Sequence, residues 1–200
     1  MIVLILCIHF MRFDELIGED AAKIAKNLLG SNIVRHEHDG NRLAGMIVET
    51  EAYHQSDPAT HAHRGKTERN KAMFDRGGSA YVYFTYGMHY CFNVVTGPKE
   101  EAAAVLIRAV EPIEGVAKMQ ARRKTDNMQN LCSGPAKFTQ AFNIDLDLNR
   151  HDLTKPPLEL ELKKPLPDSK ITTTTRIGIS QNQKEMWRFY IKDNPFISKR

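Results

Sequence analysis

Two hydrophobic periods run through this chain, and the switches between them mark its elements. From Ala21 to Leu29 apolar residues recur at helical spacing, and Gly30 follows as a natural stop. The same period returns over Ile113 to Lys124, which ends in the basic run Arg122-Arg123-Lys124. Ser133-Gly134-Pro135 opens a third helix, with Ser133 as N-cap, Pro135 in the first turn, and Phe138 and Phe142 on one side. Between the first two helices the pattern is strand-like. Tyr81 to Val95 reads as two strands around a turn at Gly87, a β-hairpin with Tyr86 at its tip; Tyr81 and Tyr83 face one way and Phe84 the other. Residues 151–175 are rich in proline and charge and predict a surface excursion with short strands. Strands and helices are segregated, so the expected fold class is α+β: one domain with a curved antiparallel β-sheet, flanking helices and a protruding β-hairpin.

One strand breaks the rule that buried positions are apolar. In Ile47-Val48-Glu49-Thr50-Glu51-Ala52-Tyr53, strict alternation puts Ile47, Glu49, Glu51 and Tyr53 on one face and Val48, Thr50 and Ala52 on the other. Two carboxylates and an aromatic ring on one side of a rigid element suit a reaction site as well as a solvated edge.

Composition narrows the options. At 200 residues and 22.8 kDa the chain is long enough for one domain with its own core. Its net charge of +4 suits a polyanionic partner only mildly, and the distribution is more telling than the total. Arg64, Lys66, Arg69, Lys71 and Arg76 cluster between the two strand regions, where phosphate contacts are expected of Arg64 and Arg69. The start of the third helix, with Ser133 and Lys137, is a further candidate for phosphate. Cys7, Cys91 and Cys132 are odd in number and far apart, which predicts free thiols in a reducing cytoplasm. His54, His61 and His63, like His36-Glu37-His38, lack the spacing and cysteine partners of a zinc site, so neither metal nor cofactor is expected. Residues 1–10 are apolar but too short to span a bilayer and lack the basic flank of a signal peptide. They read as an extension upstream of a domain spanning 11–200, from a misassigned start, and no membrane association is expected.

The motifs carry a resemblance. Glu49-Thr50-Glu51-Ala52-Tyr53, Asp57-Pro58-Ala59-Thr60-His61, Arg69-Asn70-Lys71-Ala72-Met73-Phe74, Tyr81-Val82-Tyr83 with Tyr86-Gly87-Met88, Val105 to Pro112, Leu131 to Lys137, Arg176-Ile177-Gly178-Ile179 and Trp187-Arg188-Phe189 occur in that order. The set resembles the alkyladenine (3-methyladenine) DNA glycosylases of the mammalian type, over roughly residues 11 to 198. The resemblance implies that Glu51 activates the water and that Arg108 stands beside it; an adjacent cation favours the charged form of an acid. It also implies that Tyr53, His61 and Tyr83 stack on a flipped base, that Asn93 lines the pocket, and that Tyr86 fills the gap in the duplex as a wedge. His63, beside Arg64, then faces phosphate. The expected partner is double-stranded DNA containing damaged purines, the expected state a monomer, and the expected location cytoplasmic (nuclear in a eukaryote). Two departures stand out: Glu68 occupies a position usually held by proline, and Lys99-Glu100-Glu101 makes one connection acidic. Two rivals remain open at this level. A two-carboxylate nucleoside or glycoside hydrolase would use Glu49 with Glu51, and a non-catalytic damaged-DNA binder would need neither.

Overall fold

The computed structural model describes residues 13–18 and 20–198. The apolar stretch 1–10, including Cys7, lies outside the described residues. Helix α1 (Ala21–Asn27) begins where the Asp20 carboxylate accepts the Ala22 amide at 2.8 Å, satisfying an amide with no partner inside the helix. It ends two residues earlier than the periodicity predicts, and Leu28 to Gly30 form a turn that closes on Gly30 at φ +85°. Strand β1 (Asn32–His36) turns back into the long β2 (Arg42–His54). Next come the hairpin strands β3 (Ala80–Thr85) and β4 (His89–Val95), and then β5 (Ala103–Glu114). Helix α2 (Val116–Arg123) and helix α3 (Pro135–Phe142) follow, then three four-residue strands, β6 (Leu158–Glu161), β7 (Ile171–Thr174) and β8 (Arg188–Ile191).

The eight strands described join one curled antiparallel sheet; six follow the order β3-β4-β5-β2-β1-β6, and β8 and β7 branch from it. On the flank of β2 away from β5, the sheet divides. The first part of β2, from Arg42 to Met46, pairs with β1, while Glu49 to Glu51 pairs with β8, which in turn carries β7. The expected fold class, a single α+β domain with a curved antiparallel sheet, is the one observed. The main core lies between this sheet and the helices. Ile24 and Ala25 of α1, Phe138 and Phe142 of α3, and Ile47, Phe92, Ile107 and Val110 of the sheet are all buried in it. Phe138 stands edge-on to both Phe92 and Phe142, with centroids 6.0 and 5.0 Å away. Each such side chain contributes about 1.5–3 kcal/mol of transfer free energy.

The structure corrects two boundaries. Ile113 and Glu114 belong to the end of β5, not to a helix, and Ile113 is exposed. Gly115, at φ +75°, makes the turn into α2; a Cβ there would lie 2.3 Å from Leu43 Cδ2 and 2.8 Å from the Arg42 carbonyl oxygen. Only glycine meets both demands. The N-cap of α3 is Gly134, with no side-chain cap, while Ser133 forms an isolated bridge to Ala109. Pro135 at the first turn disfavours helical backbone in the residue before it, and Gly134 takes a conformation open only to glycine (φ 149°, ψ 149°). The 151–175 excursion does form short edge strands, but it also buries Leu153, Leu158, Leu160 and Leu162 in the core. Among the described residues, no helix is long and apolar enough to cross a membrane.

Candidate active site

Strand β2 and strand β5 meet out of step in the middle of the sheet. Ile47 pairs with Val110 and Glu49 with Ala109, so Val48 is an extra residue on β2. Thr50 then pairs with Ile107, so Arg108 is an extra residue on β5. Bulges of this kind re-aim side chains beside functional sites. Alternation from Ile47 to Tyr53 is therefore interrupted: Ile47 goes into the same apolar core as Ala52, whereas Glu49 and Glu51 turn to a polar cluster.

Both acids are fully buried, with Arg108 between them. Arg108 Nε donates to Glu49 Oε1 at 3.1 Å, and its Nη1 lies 3.2 Å from Glu51 Oε2. The two glutamates have different surroundings. Glu49 also accepts from Arg188 Nε at 2.7 Å, from the Ser198 amide at 2.6 Å and from Ser198 Oγ at 2.9 Å. It is fully engaged by the framework and cannot serve as one of a hydrolytic pair. Glu51 accepts from Tyr53 Oη at 2.9 Å and from the Ile177 amide at 2.7 Å. These two hydrogen bonds and the Arg108 ion pair leave room among the roughly four acceptor positions of a carboxylate for a further donor. Burial opposes the charge on Arg108, but Glu51 and then Glu49 outweigh it and raise its pKa above the ordinary arginine value. Burial first, and Glu51 second, push the Tyr53 phenol well above its usual pKa, so it remains a donor.

Tyr53, Arg108 and Ile177, the three partners of Glu51, all line one cleft of about 400 Å³. Its walls bring together the remaining sequence candidates. Tyr83 stands edge-on to His61 with centroids 4.6 Å apart, and 5.3 Å from Tyr81. His61 Nδ1 is 3.0 Å from Tyr81 Oη, and burial, then Arg69, lowers the His61 pKa below the ordinary imidazole value. Asn93, opposite Tyr81 in the β3–β4 register, lines the floor and donates Nδ2 to the Tyr81 carbonyl at 3.0 Å. At the rim stand Pro135 and Tyr86, the latter 81 % exposed at the hairpin tip with φ 52°. His61, not His63, lines the cleft.

Sequence reasoning assigned no role to two parts of this cleft. Tyr81 orients His61, and residues 177–181 form a wall, with the Ile177 amide on Glu51. The motif Arg176-Ile177-Gly178-Ile179 was the available signal, but a backbone amide leaves no mark in side-chain chemistry. Arg176 anchors this wall: its Nη1 donates to the Ala52 carbonyl at 3.0 Å and to Asp57 Oδ2.

The candidate phosphate contacts fare unevenly. Arg64 is exposed, and Arg69 reaches the hairpin, donating to the Phe84 carbonyl at 3.2 Å. Lys137 is committed to Asn130, and burial lowers its pKa. Of the second basic run, Arg122 pairs with Glu37 at 2.5 Å and Arg123 donates to the Leu131 carbonyl. Among the described residues, no group of three or more His, Cys, Asp or Glu side chains is placed to hold a metal ion.

Comparison with known proteins agrees with the family that the motifs resemble. A family model described as methylpurine-DNA glycosylase matches residues 15–195. A protein of Carboxydothermus hydrogenoformans whose name carries the words 3-methyladenine DNA glycosylase is 52% identical over 184 residues, covering 92% of this chain and 96% of its own. Proteins whose names carry the same words in Prosthecochloris aestuarii (49% over 177 residues; 88% of this chain, 85% of that one) and Methanoculleus marisnigri (46% over 184; 90% and 95%) are similar. With matches of this identity and extent, the chain belongs to the methylpurine-DNA glycosylase family.

Proposed function

We propose that this protein is a monofunctional DNA glycosylase. It flips an alkylated purine such as 3-methyladenine out of duplex DNA and hydrolyses the N-glycosidic bond with a water held by Glu51, leaving an abasic site. One observation carries this reading: the buried Glu51 is held by Arg108 and Tyr53, which line an aromatic cleft together with His61 and Tyr83.

The chemistry follows from the charges. As the base leaves with the bonding electrons, positive charge builds on the sugar, and a buried carboxylate stabilises it electrostatically. Water attacks the anomeric carbon and its proton passes to Glu51, acting as general base. Arg108, hydrogen-bonded to Glu49, orients Glu51 from the wall of the cleft. Alkylated purines carry a formal positive charge, so the rings of Tyr53 and Tyr83 attract them more than normal bases by cation–π interaction. The same charge makes them better leaving groups. Asn93 lines the cleft and Tyr86 is exposed at the hairpin tip, which supports Asn93 as a discriminating polar group and Tyr86 as the wedge in the stack. A lyase step would need an amine nucleophile, and no lysine is among the cleft's lining residues. Double-stranded DNA as substrate implies a cytoplasmic, nucleoid location in a prokaryote, and the reading takes the working unit to be a monomer.

Incubation of the purified protein with methylated duplex DNA, followed by chromatography of the released bases, tests the proposal with Glu51→Gln alongside. Free 3-methyladenine from the unmodified protein alone is the expected result. Tight binding to DNA bearing an abasic analogue, without release of any base, would instead favour a damage-binding protein. Substituting Asn93 by Ser should change the release of guanine-derived bases; no change removes its role in discrimination.

A further inference from the structure

Arg176 is a buried arginine whose guanidinium divides its contacts between hydrogen bonds from one nitrogen and two aromatic rings. Its side chain is fully buried and does not line the cleft. Its carbon Cζ lies 4.7 Å from the centroid of Tyr53 and 5.1 Å from that of Trp187. All its observed hydrogen bonds leave through Nη1, to Asp57 and to the Ala52 carbonyl, while Nε and Nη2 are buried without an acceptor among the described residues. A buried cation with two unpartnered N–H groups relies on the rings beside it for its solvation. Because Tyr53 lines the cleft and Arg176 does not, the face of Tyr53 that holds the guanidinium is turned away from the cleft.

An aromatic ring has one π system, shared by both faces. A cation held against one face lowers the attraction of the other for a second cation. We propose that Arg176 is a specificity-determining positioning residue: stacked on the far face of Tyr53, it moderates the pocket's preference for positively charged bases and admits neutral ones. This rests on the glycosylase reading above. Asp57 is its counterweight. Asp57 takes the Arg176 ion pair and also accepts from the Ala59 amide at 3.0 Å and from Asn182 Nδ2 at 2.9 Å, so its charge is held in place. The Arg176–Asp57 pair sets how much positive potential Tyr53 carries into the cleft.

The readout is a ratio of kcat/KM values for 7-methylguanine, a cationic base, and hypoxanthine, a neutral one, each in the same duplex. A merely structural role would lower both rates together and leave the ratio alone. In the double variant Asp57→Asn with Arg176→Met, which removes both charges, the ratio rises roughly three- to tenfold, the size expected for one cation–π contact. In Asp57→Asn alone, where the cation stays and its counter-charge goes, the ratio falls. If the double variant does not fold, the single variant decides: an unchanged or increased ratio overturns the inference. An unchanged ratio in a folded double variant also overturns it, as does wild-type protein that releases 7-methylguanine but no hypoxanthine. Wild-type protein that releases 3-methyladenine but neither of these bases overturns the inference, whereas protein that releases none of the three overturns the glycosylase reading itself, which is a different failure.

Discussion

Arg108 lies between Glu49 and Glu51, 3.1 Å from an oxygen of the first and 3.2 Å from an oxygen of the second. It can do so because β5 carries it as an extra residue, out of step with β2. A single guanidinium thus couples an acid locked in the framework to an acid whose partners line the cleft. Removing it leaves two buried carboxylates close together. Arg108→Met is expected to cost about 3–5 kcal/mol of stability, as when one member of a buried charge network is deleted. Denaturant unfolding measures this, and a loss below about 1 kcal/mol would mean that the acids find other partners.

Glu49 and Glu51 should respond oppositely to the same substitution. Glu51→Gln is expected to lower base release by about 10²–10⁴-fold, the usual contribution of a positioned general base, while binding of damaged DNA persists. Glu49→Gln, which disturbs Arg108, Arg188 and Ser198 at once, should lower the melting temperature more and the rate less. Parallel melting curves and single-turnover excision separate the two roles. Equal rate losses would show that Glu49 acts only through Glu51.

His61 makes stability depend on pH. Burial, with Arg69 adding to it, lowers its pKa in the folded protein below the unfolded value of 6.5. The unfolded chain therefore binds more protons in this window, and stability rises with pH there. The contribution of His61 is fully present above pH 6.5 and is lost as pH falls through the lower, folded value. His61→Gln should flatten the unfolding free energy between pH 5 and pH 7 relative to wild type, which urea titrations at several pH values would detect. A slope identical to wild type would assign the dependence to another group.

Tyr86 contributes little to the fold. It is 81 % exposed and holds a φ of 52°, a backbone region that favours glycine. Tyr86→Gly should leave stability within about 1 kcal/mol of wild type, since relief of backbone strain offsets the added freedom of the unfolded chain. Excision from duplex DNA should fall much more than excision from single-stranded DNA, where no stack has to be filled. Equal losses on both substrates would remove the wedge role.

Much of the candidate site was legible through the ordered motifs that carry the family resemblance. Glu51, Tyr53, His61, Tyr83 and Asn93 stand in or directly behind one cleft, and the hairpin carries Tyr86 at its tip as the turn at Gly87 predicts. What escaped was of another kind. The hydrogen bond from Lys137 to Asn130 has no signal in the pattern, and Ile177 contributes an amide that any residue but proline would supply. Ile113 carries a helical pattern, yet it continues β5 because Gly115, pressed against Leu43, is where the chain can turn.

By itself, the sequence determined the α+β class, the hairpin, the identity of the acid-bearing strand and the family pattern, because periodicity and turn chemistry act within a few residues. Tertiary structure alone decided how the two acids differ. Glu49 and Glu51 are separated by one residue and identical in chemistry. The out-of-step pairing with β5, the Arg188 side chain from β8 and the amides of Ile177 and Ser198 give one a closed shell and the other a place beside the cleft. Arg108 stands 59 positions from Glu49 along the chain and Ser198 149, distances over which local pattern carries no information.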